Sequence, residues 1–287
     1  MATEDDADLQ FQSALENPAL AAAALAMAQE EEAPALPNPL DGPLSLPGGF
    51  RRLKPGSGDF EVVTDAWVRE LNGEDEERIA RAQMRNGQSA FVESVLEAGV
   101  EKLGGTKPTS DDFEGLFMGD RDFLLMEIAR VTYGDSIDFN QVECPRCGQQ
   151  SDISLSLSED VPLKRLKDFS DSRFDVRLRN NVVANCTLIT SATAEKIADL
   201  ETTAEINTII VANAVLELRK EGGETTHIAG DVAAAKKLGI VDRQTIVNAV
   251  SERMPGPQYN GVRIKHEPGC GEEILLAITL QDLFRGM

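Results

Sequence analysis

The chain has 287 residues, 41% of them apolar, enough to bury a substantial core in one large domain or two small ones. Its 49 acidic residues outnumber 28 basic ones, for a formal net charge of −21. That balance argues against a nucleic-acid backbone or an anionic membrane as main partner, because such surfaces are bound through Lys and Arg. Arg51, Arg52 and Lys54 form the only evident basic cluster. Four cysteines are too few for a disulfide scaffold, and the opening Met1-Ala2-Thr3-Glu4-Asp5-Asp6 has neither the basic nor the apolar region of a standard secretory signal. The apolar stretch from Ala19 to Ala28 is too short to span a bilayer, so the chain reads as soluble and intracellular.

Residues 1–50 hold nine acids and no Lys or Arg. Pro34, Pro37, Pro39, Pro43 and Pro47, followed by Gly48-Gly49, mark a linker. Residues 1–58 are therefore expected to be an acidic, Pro- and Ala-rich disordered tail, with a short helix signalled by Asn17 at N-cap and Pro18 at N1. A folded domain is expected over 59–287. It opens with a strand at Phe60 to Val63 and a helix capped at Asn72, with Glu74, Asp75 and Glu76 in its first turn. A second helix carries Phe91, Val92, Val95 and Leu96 and stops at Gly104-Gly105; a third, after Asp120, carries Phe123, Leu124 and Ile128 and ends before Gly134. Strands follow before Cys144, at Ile153, Leu155 and Leu157, and at Phe174, Val176 and Leu178. A longer helix is expected from Ala204 to Lys220 and another from Asp242 to Pro255-Gly256-Pro257. The closing strand alternates Ile274, Leu276, Ile278 and Leu280.

Two stretches share one plan. Asp120-Arg121 is followed by a helix, a turn, a strand, Cys144-Pro-Arg-Cys147-Gly148 and another strand. Asp242-Arg243 is followed by a helix, a turn, a strand, His266-Glu-Pro-Gly-Cys270-Gly271 and another strand. In both, the aspartate precedes the first Cys or His by 24 residues, as two copies of an ancestral half-site would. Zinc prefers four tetrahedral S and N donors in a closed structural site, and each strand–turn–strand knuckle offers two. Cys144, Cys147, His266 and Cys270 are therefore the expected ligands of one structural zinc. Lys265 would not help its affinity, whereas the acidic surroundings would. The fold class expected is α+β: a helical body joined to two β-hairpin zinc knuckles, at about 118–158 and 240–284, that form one zinc-ribbon-like site.

His266 and Cys270 could also be unrelated surface residues with no metal bound, and two functional readings of the Cys-x-x-Cys remain open besides. One is a thiol oxidoreductase, although the redox motif sits between a strand and a helix rather than between two strands. The other is a zinc-ribbon adaptor for nucleic acid or a transcription complex, against which no basic or aromatic-interleaved stripe flanks either knuckle. Cys186 sits in an apolar strand and reads as core, and His227 reads as exposed. With two histidines in all, and no GxSxG, phosphate loop, GxGxxG or HExxH, no catalytic residues are assigned and the chain reads as no enzyme.

Val68-Arg-Glu-Leu-Asn-Gly-Glu-Asp-Glu-Glu77, Met118-Gly-Asp-Arg-Asp-Phe-Leu-Leu125, Tyr133-Gly134-Asp135, the Cys144 knuckle, the Asp242-Arg243 helix with Pro255-Gly256-Pro257, and Asp282-Leu283-Phe284 occur in that order. Together they resemble the baseplate-hub assembly chaperone family of contractile phage tails and related injection systems, over Phe60 to Phe284. The family's second knuckle typically reads as another CxxCG, and this chain departs from it with His266 and one inserted residue. The resemblance implies a non-enzymatic protein of tail assembly, working on hub, spike or tape-measure components in the host cytoplasm. It leaves open retention in the finished particle, phage against injection-system origin, and oligomeric state; neither nucleic acid nor membrane is implied as a partner.

Overall fold

The computed structural model describes residues 42–54, 58–198, 200–220, 222–223 and 225–285. The helix expected at Asn17-Pro18 and the acidic segment up to Asp41 lie outside the described residues. In chain order the first elements are β1 (Leu44–Leu53), β2 (Phe60–Val68), α1 (Gly73–Gly99), β3 (Val100–Leu103), α2 (Ser110–Gly115) and α3 (Met118–Tyr133). Next come β4 (Ser136–Glu143), β5 (Gln150–Ser156), β6 (Leu163–Lys164), β7 (Arg173–Arg177), β8 (Val182–Thr187), α4 (Ser191–Ala198) and α5 (Thr203–Ala214). The chain continues through β9 (Val215–Lys220), β10 (Thr225–His227), α6 (Val232–Lys237) and α7 (Ile240–Arg253). It closes with β11 (Gly256–Pro257), β12 (Val262–Lys265), β13 (Glu273–Leu276) and α8 (Leu280–Leu283). Helices and strands are thus mixed, as the α+β reading requires. Among the described residues no helix is long and apolar enough to cross a membrane.

β1, β2 and β3 form one antiparallel sheet, and a second has the order β10-β9-β8-β7; β4–β5 and β12–β13 stand as separate hairpins. The helix α3 is central. Every residue from Phe123 to Ala129 is buried, the signature of a helix covered on all sides rather than along one stripe. Its first turn approaches β11 so closely that a Cβ on Gly119 would lie 1.5 Å from the Pro255 carbonyl oxygen. A second core lies between the four-stranded sheet and α5, α6 and α7, built from residues such as Val176, Ala184, Val211, Val215, Ile246 and Val250. Cys186 is buried within it, as expected of a core thiol, and His227 on β10 is exposed.

Several expected elements change type or boundary. The segment read as a linker, residues 43–49, belongs largely to β1: Leu46 and Phe50 are buried there. The Pro47-Gly48-Gly49 run makes an irregularity in the ladder rather than an end to it, since the register with β2 shifts between Ser45 and Phe50. Gly48 N–H donates to Asp120 Oδ1 at 2.7 Å, fastening this bulge to α3. The first two expected helices run together as α1 with a break at Gly87, and the residues after Gly99 turn into β3 instead of continuing to Gly104. The helix expected to reach Lys220 ends at Ala214, because the alternating Val215-Leu-Glu-Leu-Arg-Lys220 pairs with β8. The closing strand likewise stops at Leu276, and Thr279 with Asp282 forms a capping box that starts α8.

Candidate metal centre

Each of the four expected ligands sits at the tip of a hairpin. β4 and β5 pair out to Glu143 and Gln150, leaving Cys144 to Gln149 as the connecting turn. β12 and β13 pair out to Lys265 and Glu273, leaving His266 to Glu272. The two turns close with one hydrogen-bond pattern. Cys144 N–H donates to the Gln149 carbonyl at 2.9 Å and Gly148 N–H returns to the Cys144 carbonyl at 2.9 Å. His266 N–H donates to the Glu272 carbonyl at 2.8 Å and Gly271 N–H returns to the His266 carbonyl at 3.2 Å. In both, the second ligand directly precedes a glycine with positive φ, +70° at Gly148 and +72° at Gly271, where a side chain would be strained. The extra residue of the second turn is taken up at Glu267-Pro268-Gly269. A Cβ on Gly269 would meet the His266 ring at 2.6–2.8 Å, so this position admits only glycine beside the imidazole.

The turns face each other. Sγ of Cys144, Sγ of Cys147, Sγ of Cys270 and a ring nitrogen of His266 all lie within 4.8 Å of one another and could hold a metal ion. Cys144 Sγ is 3.6 Å from Cys270 Sγ, and His266 Nδ1 is 3.5 Å from both Cys147 Sγ and Cys270 Sγ. A tetrahedron with metal–sulfur bonds of about 2.3 Å and metal–nitrogen bonds of about 2.0–2.1 Å has edges of about 3.8 Å (S to S) and about 3.6 Å (S to N). These three separations fit that donor set. Cys144 and His266 are buried, Cys147 and Cys270 exposed, so one side of the cluster rests on protein and the other meets solvent.

Electrostatics distinguish the thiols. The Cys144 thiol is drawn down to about 6, first by the N–H of Cys147, against the opposing effect of burial and with help from the Arg146 N–H and the neighbouring sulfurs. Cys147 moves the other way: the Gln149 N–H favours its thiolate, but burial and the adjacent Cys144 and Cys270 sulfurs outweigh it and raise the thiol. One thiolate therefore discourages the next, and a cation among them removes that conflict. A clasp that the sequence reading missed also joins the turns: Arg146 Nη1 lies 2.6 Å from Glu272 Oε2. Its signal, a base in one knuckle and an acid after the other, has meaning only once the knuckles are known to face each other.

The basic cluster behaves differently. Arg52 turns inward to Asp112 at 2.7 Å and to the Leu103 carbonyl, and Arg51 lies over the rings of Phe60 and Phe169.

Neither a curated protein nor a solved structure matches the chain. Residues 67–285, which span both hairpins and every described element from α1 onward, match the family described as T4 bacteriophage base plate protein. With the match covering most of the sequence, the chain belongs to the T4 bacteriophage base plate protein family.

Proposed function

We propose that this chain is a non-enzymatic assembly protein of a contractile-tail baseplate, built around one structural zinc held by Cys144, Cys147, His266 and Cys270. It binds hub, spike or tape-measure components during assembly in the host cytoplasm. The observation that carries the zinc is the convergence of four S and N donors, from turns more than a hundred residues apart, to within 4.8 Å of one another, with three separations of 3.5–3.6 Å. Four protein donors leave no open coordination position, so the ion's role is mechanical and the two hairpins act together as one zinc-ribbon-like unit. Bound zinc contributes on the order of 10 kcal/mol to folding in such sites. Family membership supports the baseplate role, and the acidic segment before β1 supplies a second partner contact in this reading.

Affinity capture of the full chain from a lysate producing tails, with metal analysis of the same sample, tests both halves. About one zinc per chain and co-purified tail components are expected. Absence of stoichiometric metal, with stability unchanged by a strong chelator, would overturn the zinc; capture of nucleic acid in place of tail components would overturn the partner class.

A further inference from the structure

A cavity of about 350 Å³ opens between α1, α2, α3 and α4, with Tyr259 and α8 completing its lining. Val92, Phe113, Met118, Ile197 and Leu280 line it, and each is only half-buried, so apolar surface is left uncovered by the chain itself. Its volume is at the low end of the roughly 300–1000 Å³ that ligand pockets span, room for a few anchoring side chains. Glu93, Glu114 and Glu195 belong to the same lining and are exposed. Burial, and then the Glu93 and Glu114 carboxylates, push the Glu195 carboxyl up, against the weaker pull of Arg121 and Lys196. The nearby cations make their direct contacts with other groups: Arg121 Nη2 is 2.9 Å from Asp122, and Lys196 Nζ donates to Asn213. Among the described residues no cation pairs with any of the three acids. The Ser89 hydroxyl, sealed from water in the same wall, finds no hydrogen-bond partner among the described residues.

We propose that this cavity docks an amphipathic helix of a partner protein, one that carries Lys or Arg beside its apolar stripe. The apolar stripe fills the cleft, and the basic residues neutralise the acidic rim. A helix fits better than an extended peptide because every wall is helical. No strand edge is offered, so an extended backbone would be desolvated without a ladder, whereas a helix satisfies its own N–H and C=O groups. The cavity is formed by residues other than the metal ligands, so this docking site stands or falls apart from the zinc.

The test is fluorescence anisotropy on the full-length protein with a labelled leucine/lysine amphipathic peptide of about 18 residues, long enough to be helical. Its leucine/glutamate counterpart is measured in parallel. The leucine/lysine peptide should bind and the other should not. Two independent variants, E93Q/E114Q/E195Q to discharge the rim and Ala198→Trp to block the exposed mouth, should each weaken binding by about tenfold or more. A control that removes equal charge from exposed positions outside the cavity, E77Q/E159Q/E252Q, should keep it. Three results overturn the proposal: no binding by the wild-type protein, equal binding of both peptides, or equal loss in the control and the rim variant. Far-ultraviolet circular dichroism and thermal unfolding, unchanged in Ala198→Trp, separate a blocked site from a damaged fold.

Discussion

At the scale of single residues, Cys147→Ser removes one donor from a site whose distances already suit an ion. Its zinc content should fall well below one per chain, and its stability should drop by several kcal/mol, out of the order of 10 kcal/mol that such an ion supplies. Metal analysis and denaturant unfolding of the same sample read both. Gly269→Ala acts on the imidazole instead of a sulfur. Its Cβ must push the His266 ring aside, and zinc affinity measured by chelator competition should fall about tenfold to a hundredfold. Asp120 makes a prediction about pH. It is fully buried, its Oδ2 has no partner among the described residues, and its carboxyl is pushed up to about 7, first by burial and against the Gly48 and Gly49 N–H groups. In the unfolded chain the same carboxyl titrates near about 4. The protonated form therefore adds stability that is fully present below about pH 4 and is lost as pH rises through about 7, on the order of 4 kcal/mol. Asp120→Asn keeps an acceptor for Gly48 and does not titrate, so its stability relative to wild type should rise between pH 4 and pH 7.5. Equal pH slopes for the two proteins would remove Asp120 from this account.

At the scale of elements, Gly119→Ala should be among the most damaging small substitutions in the chain. The added methyl would occupy the Pro255 carbonyl oxygen, so α3 and β11 must separate, at a cost of about 1–3 kcal/mol or more in denaturant unfolding. The elements also show what sequence can and cannot carry. The knuckles were legible because Cys-Pro-Arg-Cys-Gly and His-Glu-Pro-Gly-Cys-Gly contain their own turn geometry within a few residues. The switch from α5 to β9 was not legible. Val211 to Leu218 satisfies helical and alternating patterns alike, and β8, the strand that decides the matter, lies some thirty residues earlier in the chain. β1 was hidden for a related reason. Its glycines looked like a chain break, whereas Gly48 in fact meets Asp120, Phe117 and Pro255, three residues that no local window contains.

At the scale of the whole molecule, the four donors span a chain separation of 126 residues from Cys144 to Cys270. A cation there ties the end of the α3 unit to the end of the α7 unit. The exposed Arg146–Glu272 pair supports the same closure but, screened by solvent, adds little to it. Chelation should therefore raise hydrogen exchange in β4, β5, β12 and β13 together. The core between the four-stranded sheet and α5 through α7 should keep its protection, because its burial does not depend on the hairpins. Hydrogen-exchange mass spectrometry with and without chelator reads this directly, and loosening of one hairpin alone would contradict it.

The second turn's additional residue sets a rule for how such sites change over time. An imidazole Nδ1 is one covalent bond farther from its Cα than a thiolate sulfur, and the longer His266 turn gives that longer arm its room. Replacing His266 by cysteine while keeping the seven residues between Lys265 and Glu273 would leave the sulfur short of an ion held by the other three donors. Donor and loop length must therefore be inherited as a set, and relatives that restore a second thiol there should also have lost the inserted residue.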